Sequence, residues 1–131
     1  MGRIRSEMFR VVVAGSRNFQ DKKLLFLMLD HFLQNKNPDE IEIISGTARG
    51  ADMMGEEYAQ VRGLKIKRFP AEWKKFGKSA GYIRNEQMAA YADALVAFWD
   101  GHSVGTQHMI SICRKKNIPI RVVIFDSEKV E

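Results

Sequence analysis

Apolar residues fall along the chain in two alternating rhythms. Short runs rich in valine and isoleucine, each closed by glycine, proline or a polar cluster, give way to longer stretches in which apolar side chains return every three or four positions. The first run, Phe9-Arg10-Val11-Val12-Val13-Ala14-Gly15, is nearly continuous, as a strand buried on both faces of a parallel sheet must be. Leu24, Leu25, Met28, Leu29 and Phe32 then form one helical stripe, with Asp21 as N-cap and an end near Leu33; His31 lies beside that stripe as a boundary residue. Asn35 to Asp39 break the helix, and Ile41 to Ile44 make a second strand. A second helix is expected from about Ala51 to Arg62, stopped by Gly63. Leu64 to Phe69 alternates apolar with polar and ends at Pro70, which suits an edge strand.

Residues 71 to 81 read as a basic, aromatic loop too long for a simple connection. A helix from about Tyr82 to Tyr91, a strand Ala94 to Trp99, a glycine-bearing turn, a helix reaching about Lys116 and a strand Ile120 to Phe125 complete the series. Strands alternating with helices throughout specify right-handed crossovers. The expected fold is therefore α/β: a single-domain, Rossmann-like three-layer sandwich of about five parallel strands with helices on both faces. It occupies residues 9–126, between an N-terminal tail, 1–8, and a C-terminal tail, 127–131.

Composition narrows the setting. The 131 residues suffice for one core without disulfide or metal, and Cys113 is the only cysteine, which suits a reducing compartment; a cytoplasmic location, no metal and no cofactor are expected. No run is long and apolar enough to cross a bilayer, so no membrane partner is expected, and Met1 to Ser6 is too short and polar for a signal peptide. Those six residues formally match a myristoylation pattern but are read as a loose basic tail. A net charge of +5 and a pI near 9.5 point to an anionic partner, leaving nucleotide, nucleic acid and acidic protein open. The lysines and arginines are spread along the chain, so a nucleic-acid arm is not indicated.

Candidate chemistry gathers at strand ends. In open α/β sheets ligands bind outside the carboxyl ends of the strands, where the chain order reverses. Gly15-Ser16-Arg17-Asn18 offers backbone N–H, hydroxyl and guanidinium there, and Ser45-Gly46-Thr47-Ala48-Arg49-Gly50-Ala51-Asp52 repeats the offer at the mouth of a helix whose dipole favours anions. Gly101-His102-Ser103-Val104-Gly105-Thr106 supplies a third set. Each set alone reads equally as turn glycines, helix caps or surface ion pairs of Arg17, Arg49 and Arg84 with Asp52, Glu86 or Asp100, and Trp99 alone as core; their joint placement favours binding. Neither a Walker loop nor a G-x-G-x-x-G fingerprint occurs, which sets aside standard NTPases and dinucleotide dehydrogenases.

Together with Gly77-Lys78-Ser79-Ala80-Gly81-Tyr82-Ile83-Arg84-Asn85-Glu86-Gln87-Met88 and Trp99-Asp100, these motifs resemble the YspA-type branch of the SLOG superfamily, over nearly the whole chain. That superfamily unites Rossmann-like domains of the DNA-processing protein DprA and of the Lonely Guy phosphoribohydrolases. The resemblance implies a nucleotide or nucleotide-derived ligand, bearing phosphate and ribose as ADP-ribose does. The ligand-binding residues would be Gly15, Ser16, Arg17, Asn18, Gly46, Thr47, Ala48, Arg49, Gly50, Asp52, Lys78, Asn85, Trp99, Gly101, Ser103, Gly105 and Thr106.

Two further readings stand beside this one. The first is a phosphoribohydrolase acting on nucleoside monophosphates, with Arg84 orienting phosphate and Asp100 or Glu86 as base. Arg84-Asn85-Glu86-Gln87-Met88 departs from the Lonely Guy Arg-Lys-x-x-Met segment at Asn85, and the position of that family's glutamate is Met109, which can neither steady an oxocarbenium-like centre nor activate water. The second is single-stranded DNA binding through Lys74, Lys75, Lys78, Trp73 and Phe76, with nucleic acid as a secondary partner. Met88, Ala89, Tyr91, Met109, Ile110 and Ile112 suggest more apolar surface than one sheet face covers, hence a homodimer.

Overall fold

A computed structural model describes residues 8–126; the expected tails, apart from Met8, and the myristoylation pattern lie outside the described residues. Five parallel strands form one sheet in the order β3-β2-β1-β4-β5, where β1 is Phe9–Gly15, β2 Ile41–Ser45, β3 Lys65–Arg68, β4 Ala94–Trp99 and β5 Ile120–Ile124. β3 does lie at an edge, and β1, apolar but for Arg10, lies at the centre, paired with β2 on one side and β4 on the other.

Side chains alternate across the sheet, so a strand apolar at every position must serve two cores. Val11 and Val13 pack with Ile43, Val96 and Phe98 beneath α1 (Lys22–Phe32) and α2 (Ala51–Arg62), which contribute Leu25, Leu29, Tyr58 and Ala59. Val12 and Ala14 pack with Ile44, Leu95 and Ala97 beneath α4 (Ala80–Tyr91) and α5 (Val104–Lys115), which contribute Met88, Ala89, Met109, Ile110 and Cys113. All three valines are fully buried, each contributing about 1.5–3 kcal/mol of transfer free energy. These two cores make the three layers.

Two expectations are corrected. Residues 71 to 81 are not an open loop: Trp73–Phe76 forms a one-turn helix, α3, in which Lys75 and Phe76 donate to the Glu72 carbonyl. A 3-10 turn over Gly77–Ser79 follows, and α4 begins at Ala80, whose buried methyl anchors its first turn. The apolar residues offered as a dimer face are mostly interior, with Met88, Ala89, Met109, Ile110 and Ile112 all at or below 8% exposure. They cover this chain's own sheet, which removes that ground for a dimer.

The order of the strands fixes where a ligand site can lie. From β1 the chain steps outward through α1 to β2 and through α2 to β3, then returns across the sheet through α4 to β4. Segments leaving β1 and β4 therefore turn to opposite faces, and a crevice opens between them. Among the described residues no helix is long and apolar enough to cross a membrane.

Candidate functional site

Four segments close around that crevice, and the sequence dictates how each is held. After β1 the backbone N–H of Ser16 donates to the carbonyl of Phe98 on β4 at 2.9 Å, stitching the two diverging strand ends together. The buried Ser16 hydroxyl accepts from the N–H of Asp100 at 3.2 Å and lies 2.9 Å from the Ser103 hydroxyl. Asp100 in turn accepts from the backbone N–H of His102 at 2.9 Å and of Ser103 at 2.7 Å, and from the Ser103 hydroxyl at 3.0 Å. Desolvation pushes the Asp100 carboxyl upward, but these hydrogen bonds outweigh it and hold the group below the ordinary carboxylate range. Asp100 is thus a fastener of the turn that launches α5, and Trp99 fastens the same turn by donating its Nε1–H to the Ser103 carbonyl at 3.0 Å.

The β2 end is built around two unusual backbone positions. Gly50 has φ +82° and lies so close to the β1 turn that a Cβ there would stand 2.5 Å from the Ser16 carbonyl oxygen. Thr47 has φ +64°, a sparsely populated region for a β-branched residue. The amides expected to be bare are partly occupied. Thr47 N–H donates to Ser45 Oγ at 3.0 Å, and Ala48 N–H donates to Asp52 Oδ2 at 3.2 Å. Asp52 is 6% exposed, and burial raises its pKa from 3.8 to about 6, against the lowering effects of the Ala48 N–H and the guanidinium charges of Arg84 and Arg17.

α4 brings the central cation. Arg84 donates through Nη1 to the Gly46 carbonyl and through Nε to Asn85 Oδ1, the latter at 3.1 Å. Asn85 donates from Nδ2 to the Gly105 carbonyl at 3.2 Å, so these two adjacent residues tie α4 to the β2 end and to the start of α5. Gly46 has no side chain because there is no room for one: a Cβ would meet Arg84 Nη1 at 2.7 Å and Asp52 Oδ2 at 2.8 Å. Burial, reinforced by the charge of Arg17 and opposed by that of Asp52, lowers the pKa of Arg84. Three guanidinium groups, of Arg17, Arg49 and Arg84, thus stand around the crevice against two carboxyl groups, of Asp52 and Asp100.

The space enclosed is a hollow of about 450 Å³. Gly15, Ser16, Arg17 and Asn18 line it from β1; Ala48, Arg49 and Asp52 from the β2 end; Arg84 and Asn85 from α4; Asp100, Ser103, Gly105 and Thr106 from the β4 end and α5. Its floor is apolar, made by Ala14, Met88 and Met109. A second hollow, also about 450 Å³, lies on the other side of Arg17, Ala48, Arg49 and Arg84, which face both, and is completed by Gly46, Thr47, Pro70, Ala71 and Trp73. Gly50, Lys78, Glu86, Trp99 and Gly101 line neither. Glu86 is exposed and faces His108, with Oε2 3.8 Å from Nε2. Sequence reasoning missed Met88 as floor and Pro70 and Ala71 as wall; helical spacing from Arg84 to Met88 carried the first signal, and nothing local carried the second. Among the described residues no group of three or more His, Cys, Asp or Glu is placed to hold a metal ion.

Comparison with known proteins agrees with this architecture. A family model described as the YspA, cpYpsA-related SLOG family matches residues 9–76, which include the first two strand ends. The Gene 61 protein of Mycobacterium phage D29 is 35% identical over 121 residues, covering 86% of this chain and 94% of the phage protein. Among solved structures, DNA processing protein A of Streptococcus pneumoniae superposes with a TM-score of 0.73 at 15% identity, over 90% of this chain. This chain covers 51% of that one, about half its length. DNA processing protein A of Helicobacter pylori, described for its single-stranded DNA binding mode, gives a TM-score of 0.67 at 17% identity, over 97% of this chain and 70% of that one. At such identities the two structures share the fold with this chain.

Proposed function

The chain belongs to the YspA, cpYpsA-related SLOG family, and on that premise we propose that it binds a nucleotide or nucleotide-derived ligand in the hollow between the β1 and β4 ends. One observation carries this reading: Arg17, Arg49 and Arg84 converge on a crevice at the topological switch point, above an apolar floor and beside the hydroxyls of Ser16, Ser103 and Thr106. Guanidinium forks suit phosphate oxygens, hydroxyl and amide groups suit ribose, and a methionine floor suits the flat face of a base. The volume falls in the range of small-molecule sites. Calorimetric titration with the common nucleoside mono-, di- and triphosphates tests it. Saturable binding of at least one, weakened about tenfold or more in Arg84→Gln, is the expected result. No binding by any of them at protein concentrations well above micromolar overturns it.

Hydrolysis of an N-glycosidic bond ranks below binding because the carboxylates offered for it are engaged. Asp100 already accepts from three donors of its own turn, Glu86 faces His108 outside the hollow, and buried Met109 stands where the glutamate would be. Single-stranded DNA binding is favoured by a separate observation. Trp73 is 53% exposed on a basic one-turn helix beside Lys74 and Lys75, and Lys78 is exposed just beyond. Aromatic faces interleaved with lysines serve stacking and backbone tracking. Oligonucleotide affinity that falls steeply with salt supports it, and salt-independent or absent binding counts against it.

A further inference from the structure

The two hollows have equal volume and one common wall, and that wall is cationic. Arg84 is fixed within it from both sides, by the Gly46 carbonyl and by Asn85, while Arg17 and Arg49 are exposed and open to either hollow. The chemistry beyond the wall differs. The first hollow offers hydroxyls, an amide and a thioether floor. The second offers Pro70, Ala71 and the ring of Trp73, whose Cη2 edge lies over Gly81, where an added Cβ would stand only 3.6 Å away. A tryptophan half exposed in a hollow that arginines also line offers ring area for stacking. Thr47, at φ +64° with its N–H on the Ser45 hydroxyl, lines the second hollow, and backbone strain of this kind concentrates where ligands are clamped.

We propose that the occupant is a phosphate-bridged pair of nucleosides: one nucleoside in the first hollow, its phosphate on the Arg17–Arg49–Arg84 wall, and the second base stacked on Trp73. This rests on the reading of the first hollow as a nucleotide site and extends it to a second subsite. The chemistry is shared by a free dinucleotide and by two consecutive nucleotides of a single strand, and the test separates the two sources. Lys74, Lys75 and Lys78 lie outside both hollows and serve only a longer strand.

The test is calorimetry with the four 5′-mononucleotides, the matching dinucleoside 5′,5′-diphosphates and the matching phosphodiester dinucleotides, against the native chain, Trp73→Ala, Trp73→Phe and Ala71→Phe. A bridged probe is expected to bind about tenfold tighter than its mononucleotide, the gain of one stacked base. Trp73→Ala abolishes that gain and leaves mononucleotide affinity unchanged, Trp73→Phe keeps most of it, and Ala71→Phe, which puts a ring into the second hollow while leaving Trp73 in the chain, lowers it independently. A gain confined to the diphosphates assigns a free dinucleotide, and a gain confined to the phosphodiesters assigns a strand. Mononucleotides that bind with no gain from any bridged probe overturn the second subsite alone. So does a Trp73→Ala loss that is equal for mononucleotides and for bridged probes. Failure of every probe overturns the nucleotide reading with it.

Discussion

Asp52 is the residue on which the electrostatics of the crevice turn. Its carboxyl is buried beneath Arg84 and Arg17 yet forms no close ion pair among the described residues, so burial dominates and the pKa rises from 3.8 to about 6. Between those two values the folded chain holds a proton that the unfolded chain gives up, so stability falls as pH rises through the window, by about 3 kcal/mol in all. Asp52→Asn keeps a carbonyl acceptor for the Ala48 N–H and abolishes the titration. Denaturant unfolding from pH 4 to pH 7 is therefore expected to show the variant gaining on the native chain by up to about 3 kcal/mol. A difference that stays flat would refute the burial argument. The same group makes a second prediction, conditional on an anion entering the hollow. Negative charge beside Asp52 raises its pKa further, so nucleotide binding near pH 6.5 takes up protons, and the apparent binding enthalpy must vary with the ionisation enthalpy of the buffer. The same buffer dependence in Asp52→Asn, where the phosphate still titrates and residue 52 does not, would place the phosphate away from Asp52.

At the scale of elements, the turn between β2 and α2 is fixed by a glycine that does two jobs, and a comparison with another glycine separates them. Gly63, at the end of α2, has φ +71° with nothing within 4 Å of where a Cβ would stand, whereas Gly50 has φ +82° and a carbonyl oxygen at 2.5 Å. Gly63→Ala should cost about 1 kcal/mol for conformation alone. Gly50→Ala must also separate the β1 and β2 turns, so it should cost at least about 1 kcal/mol more and weaken ligand binding; equal costs would mean that the close approach relaxes freely. Most of this scaffold was legible beforehand. The nearly continuous apolar run of β1 announced a strand buried on both faces, and α2 runs from Ala51 to Arg62 and is capped by Gly63, as expected. What escaped notice has physical causes. The one-turn helix Trp73–Phe76 is too short to show a 3.6-residue period, and periodicity marks a helix face as apolar without saying that it lies on this chain's own sheet. Glu86 was recoverable: a residue next to Asn85 lies about 100° round the helix and had to face away if Arg84, Asn85 and Met88 faced in.

For the molecule as a whole, the formal charge of +5 and the local geometry of the crevice make different demands on an anion, and salt tells them apart. Charges spread over the surface act through the solvent and fade beyond a Debye length of about 8 Å at physiological ionic strength. Arg84 acts otherwise, because its guanidinium is oriented by the Gly46 carbonyl and Asn85 before any ligand arrives, and part of its charge is already desolvated. Replacing it with lysine preserves the formal charge and the long-range field. A lysine ammonium, however, is a compact donor on a flexible stem and cannot bridge the same two acceptors while presenting a planar fork. Arg84→Lys should therefore lower nucleotide affinity about tenfold while leaving the slope of affinity against salt concentration unchanged. Arg49→Gln, at an exposed position, should do the reverse: a smaller loss, on the order of threefold, with a visibly shallower salt slope. Titrations from 0.05 to 0.5 M salt distinguish the two. If both variants lose affinity equally and flatten the slope alike, the crevice recognises its guest through diffuse charge, and the oriented guanidinium at its centre has no special role.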